Sequence, residues 1–224
     1  MKYPFRLLSL TLFLSMSINV VAQVEYPINE DGEGEIMEVV ETTMPKETVY
    51  KNALEFITGL SGRIIMRDDN NYKLIAECVH NLTPEWKYIN VGFGAIGRVD
   101  KDEIGYRMTI ECKDGRYRVK INHISFTYSI KYKLDGHVSR EASRFVGKEN
   151  AHNLKYEMAE ETLSRLEKKD TTKMKKKDLA KYNEDLELAR LTFEYYKSLN
   201  RQEYDTLLGI IASAKKKLAV NDDF

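Results

Sequence analysis

Apolar and polar positions alternate with two different periods along this chain, and the change of period falls near residue 148. Before it, short segments repeat every second residue. "IMEVVE" (36–41) reads as a first strand, "GRIIMR" (62–67) and "YKLIAECV" (72–79) as a hairpin around the turn-forming "DDNN" (68–71), and "KYINVGFGAIG" as a glycine-bearing strand. "IGYRMTIEC" (104–112) puts Ile104, Tyr106, Met108, Ile110 and Cys112 on one face and Arg107, Thr109 and Glu111 on the other. After the turn "KDG" (113–115), Tyr117, Val119 and Ile121 alternate with Arg116, Arg118 and Lys120. The phase slips at Asn122–His123, where Ile124, Phe126 and Tyr128 take up the apolar set, so a β-bulge is expected there. One helix interrupts the strands. It opens at Pro45 and has Val49, Ala53, Phe56, Ile57 and Leu60 at helical spacing, with Lys46, Glu47, Lys51 and Glu55 left for water.

Past residue 148 the spacing becomes three and four. Tyr156, Ala159, Leu163 and Leu166 form one stripe, and Leu179, Tyr182, Leu186, Ala189, Phe193 and Tyr196 a second, coiled-coil-like one. Between them lies the polar stretch "EKKDTTKMKKKD", so an antiparallel helical hairpin is predicted over 148–200. A separate closing helix is predicted over 201–224, offering Tyr204, Leu207, Leu208, Ile211 and Leu218 to a core. Its terminal Lys215, Lys216 and Lys217 suit the negative end of the helix dipole.

The first 22 residues have the architecture of a cleavable export signal. Lys2 and Arg6 precede the apolar "LLSLTLFLSMSINVV", and "VVA" ends in a small residue at Ala22. The apolar core is short for a membrane span, no second one follows, and no Cys stands at the cleavage point for lipid attachment. A periplasmic or secreted mature protein with no transmembrane anchor is therefore expected, with residues 23–147 as the sheet–helix body. Removing the signal leaves 33 basic and 35 acidic side chains, a balance that argues against nucleic acid as a partner.

Cys78 and Cys112 both fall on core-facing positions near strand ends. If the run 87–97 pairs between their strands, they lie about 9.6 Å apart, beyond disulfide reach. Two free buried thiols are expected. Gly92, Gly94 and Gly97 spell G-x-G-x-x-G, but the residues after Gly97 alternate with period two and leave no room for the helix that a dinucleotide pyrophosphate needs. These glycines are read as bends in a strand. His80, His123, His137 and His152 have no metal-ligand spacing, and no nucleophile elbow or P-loop occurs, so no cofactor, metal or catalytic residue is assigned.

Two surfaces and one interior region carry candidate chemistry. Lys168, Lys169, Lys173, Lys175, Lys176 and Lys177, with Lys181 against Asp170 and Asp178, give a local charge of +5 over 168–181 and form a possible patch for an anionic partner. The acidic segment 25–47, with eight carboxylates against Lys46, is a candidate internal counterpart. The sheet face bearing Arg107, Arg116, Arg118 and Lys120 reads as solubilising. Tyr106, Met108, Tyr117, Val119 and Phe126 are candidates to line a ligand cavity against the 46–60 helix.

"KDGRYRVKINHISF", preceded by an apolar strand, resembles the most recognisable stretch of a secreted bacterial domain-of-unknown-function family, number 4468, with a TATA-binding-protein-like fold. "MEVVE", "MPKETVYKNALEFI" and "IIMRDDNNYKLIAE" follow the order of that family, and "LLGIIASAKKKLAVNDDF" is similar to its closing helix. The resemblance spans about 36 to 135 and 202 to 224. It implies an α+β architecture, a curved antiparallel sheet with helices on one face (TBP-like or helix-grip), with 148–200 as an inserted helical hairpin. It implies neither DNA binding nor any catalytic residue. The leading expectation is a non-catalytic cell-envelope protein acting as an interaction or binding module, meeting a protein or envelope component. Uncovered apolar residues on the hairpin, such as Leu188 or Leu191, would favour this. The alternative is a carrier of a small apolar ligand.

Overall fold

The computed structural model describes residues 26–82, 89–92, 95–132, 142–147 and 154–220. The expected export signal, Gly94, His137 and His152 lie outside them. Among the described residues seven strands form one antiparallel sheet: β1 (Ile36–Glu41), β2 (Arg63–Asp68), β3 (Lys73–Leu82), β4 (Ile89–Gly92), β5 (Ala95–Lys113), β6 (Arg116–Tyr132) and β7 (Ala142–Phe145). The main path runs β1-β6-β5-β3-β2, with β4 pairing to β5 and β7 to β6. The helices are α1 (Lys46–Gly59), α2 (Leu154–Glu167) and α3 (Lys176–Leu218). The protein is α+β, as expected.

The long β5–β6 hairpin is the spine. Its two-residue turn needs a left-handed residue, which Gly115 supplies at φ 79°. The expected bulge is present: Gly105 pairs with Ser125 but Arg107 with Asn122, and His123 absorbs the extra residue at φ 49°. The Nδ1 of His123 lies 3.3 Å from Glu33. At the β2–β3 turn the Asp68 carboxylate accepts from the Asn70 and Asn71 amides at 3.2 and 3.1 Å and from the Asn71 side chain at 2.8 Å.

The inward alternation of β3, β5 and β6 packs against α1 and α3. Leu74, Ala76, Ile104, Met108, Ile110, Val119 and Ile121 join Ala53 and Ile57 of α1 and Leu207, Ile211, Ala214 and Leu218 of α3 in one core. Buried Asn52 ties the two helices together, its amide donating to the carbonyls of Leu218 at 3.3 Å and Val220 at 2.7 Å. These bonds satisfy acceptors that a helix C-terminus otherwise leaves open.

Three expectations change. The separate closing helix does not exist: α3 is one helix of 43 residues, about 64 Å long, and residues 200 and 201 fall within it. Neither Gly nor Pro occurs between Lys176 and Leu208, and the buried spacing Tyr196, Leu199, Glu203, Leu207 passes through without a step. The cysteine geometry also differs. β3 pairs directly with β5, with Cys78 opposite Tyr106, while the Cys112 amide bonds the Tyr72 carbonyl. The thiols are free and buried, but six residues of strand separate them, about 20 Å, rather than an intervening strand. Finally, the acidic segment meets the body and not the lysine run: Glu35 is 3.3 Å from Lys120, Glu38 pairs with Lys215, and Glu33 with His123.

The glycine motif is strand-to-strand. Gly92 ends β4, Gly97 lies within β5, and Ile89 pairs with Gly97.

Candidate functional site

The hairpin of α2 and α3 is held by contacts along its apolar seam. The Tyr156 and Phe193 rings lie 5.3 Å apart, the Tyr182 hydroxyl donates to the Leu166 carbonyl at 2.9 Å, and Arg190 is 3.3 Å from Glu167. Burial along this seam fades toward the loop. Tyr156, Ala159, Ala189 and Tyr196 are buried, Leu163, Leu166, Tyr182, Leu186 and Phe193 half-buried, and Leu179 exposed. Ala189 is the buried residue of α3 nearest the loop, so the first turns of α3 extend about 20 Å beyond it.

At that end stand the lysines expected from the sequence. Lys168, Lys169, Lys173, Lys175, Lys176, Lys177 and Lys181 are all exposed. Among the described residues none of them pairs with a carboxylate; Lys169 lies 5.9 Å over the Tyr182 ring. Asp170 is occupied within the loop, accepting from the Thr172 amide at 2.9 Å and hydroxyl at 2.7 Å, which holds its carboxyl below the ordinary range. Lys175 caps α3 without a side-chain hydrogen bond.

Lower on the same hairpin two apolar side chains are uncovered. The contacts Tyr156–Phe193 and Leu166–Tyr182 set an antiparallel register that puts Met158 at the level of Leu191. Met158 is 57% exposed and Leu191 43%. Leu188 is half-buried.

The outer face of the sheet is neutralised from within. Glu77 pairs with Arg63 and lies 3.6 Å from Arg107; Glu111 lies 2.9 Å from Lys73 and pairs with Arg118. Partial burial opposes ionisation of Glu111, but the bonds from Lys73 and Arg118 together outweigh it and keep its pKa below the ordinary value. A cleft of about 210 Å³ opens here between Val39, Glu111, Lys113, Arg116, Tyr117 and Arg118. It is smaller than the pockets of about 300–1,000 Å³ that hold small ligands.

Tyr106, Met108, Tyr117, Val119 and Phe126 are brought together, each at most 4% exposed, as members of the core under α1 and α3. The Tyr117 hydroxyl donates to the Lys215 carbonyl at 3.3 Å. Burial pushes the Cys112 thiol up to about 12, and also raises Cys78, against a hydrogen bond with Tyr106 that acts to lower it. Neither thiol is poised as a nucleophile.

Reading the sequence missed the buried polar side chains. Asn52, Asp102, Asn200 and Glu203 are each at most 2% exposed. Three of them carried a signal: Asp102 continues the even-numbered inward set of β5, and Asn200 and Glu203 continue the buried spacing of α3.

Comparison with known proteins places the body. Residues 38–127 match the family described as a domain of unknown function (DUF4468) with TBP-like fold. Two crystal structures are similar over most of their length. A TBP-like protein from Parabacteroides distasonis is 15% identical, covering 80% of this chain and 95% of its own, with a TM-score of 0.40. A DUF4468 family protein from Bacteroides ovatus is 13% identical, covering 89% and 93%, with a TM-score of 0.41. No curated protein matches the chain. From β1 into β6, the chain is similar to the DUF4468 family, described as having a TBP-like fold.

Proposed function

We propose that this is an exported, non-catalytic protein of the cell envelope, an interaction module in which the sheet and α1 are the scaffold and the α2–α3 hairpin makes the contact. The observation that carries this reading is that the hairpin leaves apolar Met158 and Leu191 exposed on its outer faces, turned away from the seam that Tyr156 and Phe193 close. Large apolar side chains left uncovered on a helical element are available for burial by a partner. The partner this chemistry fits is a protein with an apolar patch, because both residues lie on a helical stem with charged Glu157, Glu187 and Arg190 nearby in sequence. Export is supported by the composition of residues 1–22. The internal pairing of Arg107, Arg118 and Lys120 with carboxylates is a poor basis for nucleic-acid binding. The burial of both thiols fits a role without chemistry.

Photo-crosslinking in the native host tests the reading. A photoreactive residue at Leu191 should give a discrete adduct of one mass, and the same residue at exposed Lys51 on α1 should not. Equal labelling from both positions, or none from Leu191, would overturn the stem as a contact surface.

A further inference from the structure

We propose that the lysine tip of the hairpin is an adsorption surface for an anionic lipid bilayer. The tip is a different surface from the Met158–Leu191 stem, so either reading can fail without the other.

The electrostatics of the tip run against its own helix. The N-terminus of α3 is the positive end of its dipole, where anions are stabilising and cations are not. Yet Lys175, Lys176 and Lys177 stand there, with Asp178 as the acidic residue of the first turn. Single lysines, Lys46 and Lys155, also stand in the first turns of α1 and α2, each beside an acidic residue, Glu47 and Glu157, whereas the start of α3 gathers three lysines against Asp178 alone. Three adjacent cations at that end cost helix stability, so folding does not account for their being gathered there.

Shape then selects the occupant. The lysines come from the loop that follows α2 and from the start of α3, at the far end of an arm that reaches about 20 Å past its last buried residue. That is a convex knob and encloses nothing. A protein interface needs an apolar centre, and the tip offers half-buried Met174 and Leu179 at 36% exposure. A plane of anionic headgroups needs neither a cavity nor an apolar centre, since each lysine contributes independently near the surface. The net charge of +5 over 168–181 is in the range where such adsorption becomes measurable.

Co-sedimentation of the purified protein with extruded vesicles tests this. Vesicles containing about one-third phosphatidylglycerol in phosphatidylcholine should pull the protein down at about 50 mM salt, and pure phosphatidylcholine should not. Raising salt to about 300 mM should release it. Each lysine removed should weaken binding by about fivefold. Replacing Lys168, Lys173, Lys175 and Lys176 together by Gln should therefore abolish it, while Lys51→Gln on α1 should leave it unchanged. Equal binding to neutral vesicles, no binding to the anionic ones at low salt, or undiminished binding by the quadruple variant would each overturn the proposal. So would tip-dependent binding to soluble polyglutamate without binding to vesicles, which would point to an acidic protein instead.

Discussion

α3 begins and ends with three consecutive lysines, and the two triplets have opposite physics. Lys215, Lys216 and Lys217 stand at the negative end of the helix dipole, where cations stabilise. Lys215 pairs with Glu38 of β1, Lys217 lies 2.9 Å from Glu55 of α1, and Asn52 caps the carbonyls just beyond. Lys175, Lys176 and Lys177 stand at the positive end, exposed, with no capping side chain. Composition cannot separate the two clusters. Helix polarity and the neighbours each end meets decide that one fastens the fold while the other stands exposed without a carboxylate partner among the described residues.

The largest expected effect tests whether packing also differs between the two ends. Ile211, fully buried near the C-terminal end, should cost about 2–5 kcal/mol as Ile211→Ala. Leu179→Ala, near the tip, should cost no more than about 0.5 kcal/mol. Urea denaturation measures both. A comparable loss at Leu179 would mean that the tip is packed like the body, and the comparison would fail.

Asn52→Ala comes next. The buried amide holds two carbonyls at the end of α3, and leaving them without a donor should cost about 1–3 kcal/mol. Loss of the last turn should also appear as faster amide exchange over 214–219. A cost near zero would show that water replaces Asn52 and that the C-terminal end is fastened by its lysines alone.

Much of this was legible in the chain. Strict alternation in 104–112 and 116–121 has few competing readings, because one face is buried and a slip would turn every apolar side chain to water. The bulge at His123 followed from a change of phase, and the decoy glycines from the lack of a helical period after Gly97. The lysine tip was legible as charge, but not as a dipole conflict, since that depended on where α3 starts. Two misreadings came from local signals weaker than tertiary ones. Dividing the helical region at 200/201 split α3, although the buried face simply carries Asn200 and Glu203 inward. Inserting the 87–97 run between β3 and β5 moved the cysteines, because sequence order alone does not show that β4 pairs only with the far end of β5. Asn52 gave no signal, as its role depends on a helix end 166 residues away.

Acid sharpens the contrast between the lysine clusters. The hydrogen bond from Lys217, then its charge, holds the Glu55 carboxyl below its ordinary value of 4.5. The folded state therefore favours the ionised form, so the contribution is present above pH 4.5 and disappears as pH falls through the folded value. The pair is solvent-exposed, and its contribution should be small. Thermal melts of wild type and Lys217→Gln should differ near neutral pH and converge in acid. A Lys176→Gln variant has no carboxylate partner to lose, so its difference from wild type should not follow that titration. If it did, the tip would be engaged with a carboxylate like the other end.

The smallest effect has the most informative sign. Lys175→Ser replaces a non-bonding cap with a residue whose hydroxyl can accept from the amides of the first turn, and removes a cation from the positive end of the dipole. The protein should become more stable by about 0.5–1 kcal/mol, a small rise in melting temperature. The same variant should bind anionic vesicles about fivefold more weakly. Opposite shifts in the two measurements are what a residue kept for contact requires, because no gain in folding explains its presence. A loss of stability on removing Lys175 would make it a structural residue like Lys215, and the difference between the two ends of α3 would then be one of exposure alone.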